Sequence, residues 1–407
     1  MEVKTSSGNN YSYLPRTNQI VLGESEENKI EWTFNPLNFN NRFSDVGMFI
    51  IGVTEQCNLR CRYCCYSGRY EGKRSHGALS LNNSDVGAII DFIETYSQTE
   101  TKRIAFYGGE PLLHFDFVQE CFNRCRSKWG NKVSFSISTN GILLTSKIID
   151  WLLANDIEIA ISVDGGKYFH DKYRVDVAGK GSFDRIFKNL EYIYNKHTSP
   201  NVTLHVTLAD VRELIDVASS WHENRLLRNL TPVTVHGLTP NFSEEVKVIE
   251  YEEVRLFYEK LIDNYQKHPD WKVLQVYLEE VISPLKERLI FDIENSFDIS
   301  TCLPNNTKLY VDSKLEVGVC EKFSDKYRIG DVRSGIDWCK TYDVVRKFYN
   351  IKKERCIHCP IVRICEMCLT AIEYTPQQWD VLCHNERVYF HVILYTFCEM
   401  AELGLVN

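Results

Sequence analysis

Between residues 45 and 240, short apolar runs alternate with longer amphipathic stretches. The runs at 48–54, 103–107, 133–138, 157–162, 202–208 and 233–236 are brief and rich in β-branched residues, which predicts strands. The stretches between them, at 83–97, 115–129, 146–154, 182–194 and 211–224, repeat apolar residues at helical spacing. Strands alternating with helices predict a parallel sheet with right-handed crossovers, and six units are too few for a full eightfold barrel. Residues 241–300 turn helical, at 243–265 and 276–290, and read as a bridge. The first 44 residues are a polar, Asn-rich extension in which 11–15 and 19–22 predict a short hairpin about residues 16–18. From 301 to 407 the chain becomes rich in cysteine.

Composition narrows the class. Hydrophobic content of 44% and charged content of 25% suit a soluble globular chain long enough for two or three domains. A net charge of −8 suggests no nucleic-acid partner. No apolar run reaches membrane length, and the polar start is not a signal peptide. Fifteen cysteines argue against disulfides and for metal ligation in a reducing cytoplasm.

The tightest set follows the first predicted strand: Cys57-Asn-Leu-Arg-Cys61-Arg-Tyr63-Cys64. Three thiolates on one loop can hold three irons of a [4Fe–4S] cube and leave the fourth open, and an open position marks a catalytic site. A zinc knuckle is the alternative. Farther on, Gly108-Gly109-Glu110 closes the second strand, where two glycines permit close backbone approach and a carboxylate can accept from an ammonium. Ser138-Thr-Asn140-Gly141 closes the third strand and also suits a plain turn. After the fourth strand come Ser162-Val-Asp164-Gly165 and His170-Asp171-Lys-Tyr-Arg174, in which Asp171 and Arg174 could form a structural ion pair.

A second cysteine field comprises Cys302, Cys320, Cys356-x-x-Cys359, Cys365-x-x-Cys368 and Cys383. Its two paired motifs are specific for metal, with tetrathiolate zinc as the rival to iron. Cys121, Cys125, Cys339 and Cys398 read as core residues, and Cys65 as a packed or exposed thiol. His205 and His236 read as core or chamber-wall histidines. Trp221, Tyr251 and Phe257 could line a substrate groove but read as core.

Together these motifs resemble the radical S-adenosylmethionine (SAM) enzymes that carry a C-terminal SPASM extension, of the kind that mature ribosomally made peptides. The resemblance spans roughly residues 45–390. It implies an α/β fold with a partial (β/α)6 TIM-like barrel and a C-terminal iron–sulfur domain. It implies SAM chelated to the open iron at Cys57, Cys61 and Cys64 and cleaved to a 5′-deoxyadenosyl radical. Tyr63 would lie in the cofactor site, and Gly108, Gly109 and Glu110 would bind the amino group of SAM. Ser138 and Asn140 would contact its ribose or carboxylate, and Arg174 would pair with the carboxylate. Of two auxiliary [4Fe–4S] clusters, making three in all, Cys356, Cys359, Cys365 and Cys383 would hold the outer one. Cys302, Cys320 and Cys368 would hold the inner one, with Cys339 or an open iron as its fourth partner. Glu321, directly after Cys320, occupies the place of a substrate base in sulfatase-maturing relatives; the alternative for it is a surface salt bridge with Lys322.

The expected partners are a precursor peptide and an electron donor such as a flavodoxin or ferredoxin. A separate recognition protein is a further candidate, because the extension is shorter than a winged recognition domain. The expected product is a carbon–carbon or thioether cross-link. The alternatives are oxidation of Cys or Ser in a protein substrate, a small-molecule radical reaction, and a zinc-binding interaction protein on an inactive barrel. Three departures from the pattern stand out: the last cysteine pair is spaced by two residues where three are commoner, Leu315 stands where a glycine is usual, and the fourth ligand of the inner cluster is not evident.

Overall fold

The computed structural model describes residues 1–406 except 26–29, 38–45, 71–73, 239–246, 293–294, 298–300, 303–307 and 323–324. The chain opens with a three-stranded antiparallel sheet, β1 (Glu2–Lys4), β2 (Asn10–Leu14) and β3 (Gln19–Leu22). A two-residue strand, β4 (Thr33–Phe34), follows.

Six parallel strands then run in strict chain order: β5 (Met48–Thr54), β6 (Lys102–Gly108), β7 (Val133–Thr139), β8 (Ile157–Ser162), β9 (Val202–Leu208) and β10 (Thr234–Gly237). Helices α1 (Val86–Tyr96), α2 (Phe115–Trp129), α3 (Ser146–Ala154), α4 (Lys167–Tyr173), α5 (Phe183–Lys196) and α6 (Leu214–Glu223) connect them. This is the partial (β/α)6 barrel. Its residues explain it. Phe49, Ile51, Phe106, Phe135, Ile137, Ile159, Ile161 and Val206 form one face of the sheet and are buried in a core shared with the helices. The alternate positions carry Ser134, Ser136, Ser138, Glu158, Ser162, Thr203, His205 and Thr207. Parallel strands covered on both faces are apolar throughout; this alternation instead leaves the second face lining a polar chamber.

The bridge consists of α7 (Tyr251–Lys267) and α8 (Lys272–Lys286). The start of the predicted 243–265 helix, 243–246, lies outside the described residues. β11 (Ser296–Phe297) pairs with β4. Beyond it the sheet continues where sequence periodicity shows nothing. β12 (Lys308–Val311) pairs parallel with β5, setting Tyr310 opposite Ile50. β13 (Glu316–Gly318), β14 (Gly330–Asp331) and β15 (Gly335–Ile336) extend the sheet antiparallel to ten strands. Strands of two to four residues are too short to show a period of two.

Two long helices, which the apolar pattern does not announce, close the chain: α9 (Trp338–Cys356) and α10 (Pro376–Glu402). α10 begins with Pro at its first turn and a Thr375/Gln378 capping box. It packs against α7 and α8, and Glu399 near its end accepts a hydrogen bond from the Ser6 amide at 2.8 Å, tying down the N-terminal sheet.

Candidate metal and cofactor site

The cysteine loop leaves the carboxyl end of β5 and is sewn to the barrel on two sides. On one side the Gly109 amide donates to the Thr54 carbonyl and the Glu110 amide to the Gln56 carbonyl, both at 2.8 Å. Gly108 has φ +135°, and a Cβ on either glycine would run into loop backbone, at the Thr54 or the Gln56 carbonyl oxygen. The glycines are therefore required by the approach of the cysteine loop itself. On the other side the Arg60 amide donates to the Val175 carbonyl at 2.7 Å and the Arg62 amide to the Tyr173 carbonyl at 2.9 Å. The segment after α4 thus grips the loop from below.

Cys57, Cys61 and Cys64 are all half-buried free thiols. The Leu59 amide points at Cys57 Sγ (3.4 Å) and the Tyr66 amide at Cys64 Sγ (3.3 Å), donors of the kind that tune cluster sulfurs. Burial first, then the Glu110 carboxylate and the other two sulfurs, push Cys57 up to about 12, against the Leu59 amide. Burial pushes Cys61 up to about 11, opposed by the Arg174 guanidinium. Crowded, buried sulfurs resist ionising together, and metal cations reverse that resistance. Among the described residues no three His, Cys, Asp or Glu side chains converge on a single-ion site. The sulfurs of Cys57, Cys61 and Cys64 do bear on one another electrostatically on one short loop, the crowding that a cluster held by three thiolates requires.

Glu110 is fully buried. Oε1 accepts from the Leu112 amide (3.2 Å) and Thr139 Oγ1 (2.8 Å), and Oε2 from the Asn140 amide (2.8 Å). Burial outweighs these donors and raises its pKa to about 7. Asn140 Nδ2 donates to Asn58 Oδ1 at 2.7 Å and lies 3.8 Å from Cys57 Sγ, so the β7 turn also reaches the cysteine loop. Ser138 stands two residues before it, half-buried at the end of β7.

Arg174 pairs with Asp164, not Asp171: Nε to Oδ2 is 2.7 Å and Nη2 to Oδ1 is 3.3 Å. Asp171 instead accepts from the Phe183 amide at 2.8 Å and pairs with Lys167 at 3.4 Å. The Tyr63 hydroxyl donates to Asp164 Oδ2, and the Arg174 guanidinium stacks 5.4 Å from the Tyr63 ring centroid. Burial opposes the charge of Arg174, and Asp164, Tyr63 and Cys61 more than offset it. His170, buried behind them, accepts from the Asp164 amide at Nδ1 (3.3 Å) and bonds Ser182 Oγ through Nε2 (2.9 Å). Burial lowers its pKa to about 4, so it is a neutral strut.

On the chamber side, Cys65 is neither core nor surface. Its sulfur lies within electrostatic reach of Lys322, Glu321 and Arg74. Tyr107, at the end of β6, is pushed well up by burial and then by Cys65 and Glu321. Glu321 pairs with Lys308 across 3.5 Å, not with Lys322, and Lys308 in turn feels Cys320 and Cys302. Cys320, raised to about 11 by burial and then by Glu321, also feels Cys368. Cys302 and Cys320 thus lie within electrostatic reach of Lys308, and Cys368 within reach of Cys320. Tyr107, Tyr310 and Lys308 carry no motif, and the last two become visible only once β12 is seen to pair with β5. Arg74 Nη1 donates to the Tyr310 hydroxyl at 2.9 Å.

The outer set, Cys356, Cys359, Cys365 and Cys383, draws on the end of α9, the turn after it and α10. The sulfurs of Cys359, Cys365 and Cys383 all bear on Cys356, which burial pushes up to about 12. Cys339 is a correction: it is exposed in the first turn of α9. Cys121, Cys125 and Cys398 are core. Leu315, where a glycine is usual, adopts φ +66° and is buried; the turn keeps a glycine-like backbone at a cost of about 1–2 kcal/mol. Trp221 is core, and its indole N–H donates to the Leu230 carbonyl at 3.0 Å. Tyr251 stacks on His391. Among the described residues no helix is long and apolar enough to cross a membrane.

Comparison with known proteins bears on the family and the fold. A model of the radical SAM superfamily matches residues 51–217. The cysteine-type anaerobic sulfatase-maturating enzyme of Clostridium novyi (strain NT) is 32% identical over 166 residues, which is 39% of this chain and 42% of that enzyme. The chain thus matches less than half the length of that relative. The radical SAM cyclopropyl synthase TigE of Paramaledivibacter caminithermalis is 22% identical over 335 residues, covering 79% of this chain and 67% of that one. The structure of anSMEcpe with bound AdoMet superposes at a TM-score of 0.65 and 18% identity over 88% of this chain and 99% of that chain. A second anSMEcpe structure also holds a peptide.

Proposed function

We propose that this protein, whose residues 51–217 match the radical SAM superfamily, uses SAM-derived radical chemistry to modify a ribosomally made precursor peptide. The proposed outcome is an oxidative carbon–carbon or thioether cross-link. One observation carries the reading: three half-buried thiols at the end of β5, braced on one side by Gly109 and Glu110 and on the other by Tyr173 and Val175. The domain brings SAM and one [4Fe–4S] cluster. When bound, they supply a carbon radical strong enough to take hydrogen from an unactivated carbon.

The chain's own residues do the rest. Cys57, Cys61 and Cys64 hold three irons. Glu110, kept partly neutral by burial, gains its full charge when an ammonium arrives beside it. Tyr63, Asp164 and Arg174 stiffen the floor, and Ser138 and Asn140 meet the ribose or carboxylate from β7. Cys302, Cys320 and Cys368 would hold an inner auxiliary cluster, and Cys356, Cys359, Cys365 and Cys383 an outer one, which together carry away the electron released as product forms. The polar face of the sheet orients the peptide. A small electron carrier, a flavodoxin or ferredoxin, would reduce the first cluster in the cytoplasm, and a separate recognition protein is a further candidate partner.

A second reading rests on Glu321. Its carboxylate sits beside Cys320, Cys65 and Tyr107 and is held by Lys308, a suitable place for a base that serves the oxidation of a Cys or Ser side chain.

The test is iron and sulfide per chain in anaerobically purified protein, beside the Cys57→Ala/Cys61→Ala/Cys64→Ala variant. About twelve irons, falling by about four in the variant, support three clusters. Zinc in the second cysteine field would reduce the protein to a single-cluster enzyme and end the oxidative proposal.

A further inference from the structure

Lys352 lies inside the protein, near the end of α9, with 1% of its surface exposed. Among the described residues its ammonium has one polar contact, Cys365 Sγ at 3.7 Å. Among the described residues no carboxylate stands within ion-pairing distance of it, though its charge is felt at Glu386, on α10 one turn past Cys383. A buried ammonium without a counter-charge is among the costliest groups a fold can carry. Neutral thiols cannot offset it, whereas thiolates can. Cys356 lies one turn farther along α9, and Cys359 and Cys365 follow it in the turn that α9 leads into.

Resting on the auxiliary-cluster reading above, we propose that Lys352 is the built-in counter-ion of the outer cysteine site, and that its positive charge raises the reduction potential of the cluster held there. The argument is electrostatic. Four thiolates around iron make a net anion, and each added electron makes it more so. A fixed cation a few ångströms from one sulfur stabilises the reduced state more than the oxidised one, and cluster potentials follow net charge and donors to sulfur. Lys352 is a positioning residue: it touches a ligand, not the substrate. An electron that reaches the outer cluster is then held there more firmly than it would be without the cation.

The experiment compares wild type, Lys352→Met and Lys352→Arg as anaerobically reconstituted full-length chains. Metal analysis comes first, then a potentiometric titration followed by electron paramagnetic resonance. The expected result is one cluster potential that falls in Lys352→Met and stays near the wild-type value in Lys352→Arg, with the other two unmoved. An unchanged potential in Lys352→Met with full iron overturns the proposal. If Lys352→Met cannot hold the outer cluster, retention of about four more irons per chain by Lys352→Arg still supports a charge role. Loss in both variants shows that shape alone matters and overturns it. Zinc in the wild-type outer site is a separate failure, of the auxiliary-cluster reading, and takes the potential claim with it. The counter-ion claim then stands or falls on whether Lys352→Met loses zinc to a chelator faster than Lys352→Arg does.

Discussion

Arg174 and Asp164 grip one another beneath the cysteine loop, with Nε 2.7 Å from Oδ2 and Nη2 3.3 Å from Oδ1. The same carboxylate accepts from the Thr207 amide at 3.0 Å and from the Tyr63 hydroxyl. Asp164 thereby joins β9, the cysteine loop and the segment after α4. Asp164→Asn removes the negative charge and leaves a guanidinium buried without compensation, a loss of about 3–5 kcal/mol. Anaerobic denaturant unfolding should show that loss, and the first cluster should be released earlier than the rest of the iron. An unfolding midpoint equal to wild type would mean that water or another carboxylate takes over the cation.

Gly109 makes a narrower prediction. Its Cα stands so close to the Gln56 carbonyl that any side chain displaces the cysteine loop. Backbone cannot rotate away as a flexible side chain can. Gly109→Ala should leave far-ultraviolet circular dichroism unchanged, because β5 and β6 pair below this point. It should, however, lower iron at the first site well below that of wild type. Gly237→Ala is the control, since a Cβ there makes only an ordinary contact with Val211 at 4.0 Å. Equal iron in both variants would show that the loop yields without loss of function.

How far these features are legible in the sequence depends on their physics. The six parallel strands and most of their helices announce themselves through periodicity, and the cysteine spacings through chemistry. The Asp164–Arg174 pair is hidden because side chains ten residues apart meet only after α4 turns back; Asp171, nearer in sequence, looks the better partner. Lys352 is invisible for a different reason. α9 has a weak apolar stripe, and one lysine in a charged run, Lys352-Lys-Glu-Arg, looks like solvated surface. Leu315 shows the limit in reverse: its side chain suggests an ordinary strand residue, while its backbone holds the left-handed turn that glycine would take without strain.

Glu110 gives the pH prediction. Burial raises its folded-state pKa to about 7, from the ordinary value of 4.5. A raised carboxyl pKa means that the native state binds the proton more tightly than the unfolded chain. Stability from this group is therefore fully present below about pH 4.5 and is lost as pH rises through about 7, about 3 kcal/mol in all. SAM-free protein should lose stability across that window, and Glu110→Gln, which cannot titrate, should lack that component of the slope. Parallel profiles for the two proteins would place the carboxyl's ionisation outside the window.

Glu321 separates radical formation from the later steps of the reaction. It is paired with Lys308 and lies within electrostatic reach of Cys320 and of Cys65, the residue after Cys64. Nothing in the bracing of Cys57, Cys61 and Cys64 touches it, so Glu321→Gln should cleave SAM to 5′-deoxyadenosine at close to the wild-type rate. A positioned base contributes about 10²–10⁴-fold to the step it serves. Formation of modified peptide should therefore fall by about that factor while 5′-deoxyadenosine continues to accumulate. Lys308→Met should show the same uncoupling in weaker form, because it leaves the carboxylate in place but frees it to turn away from the substrate. If both products fall together in Glu321→Gln, the residue supports the chamber as a whole; if neither falls, the proton leaves by another route and the sulfatase-type reading loses its base.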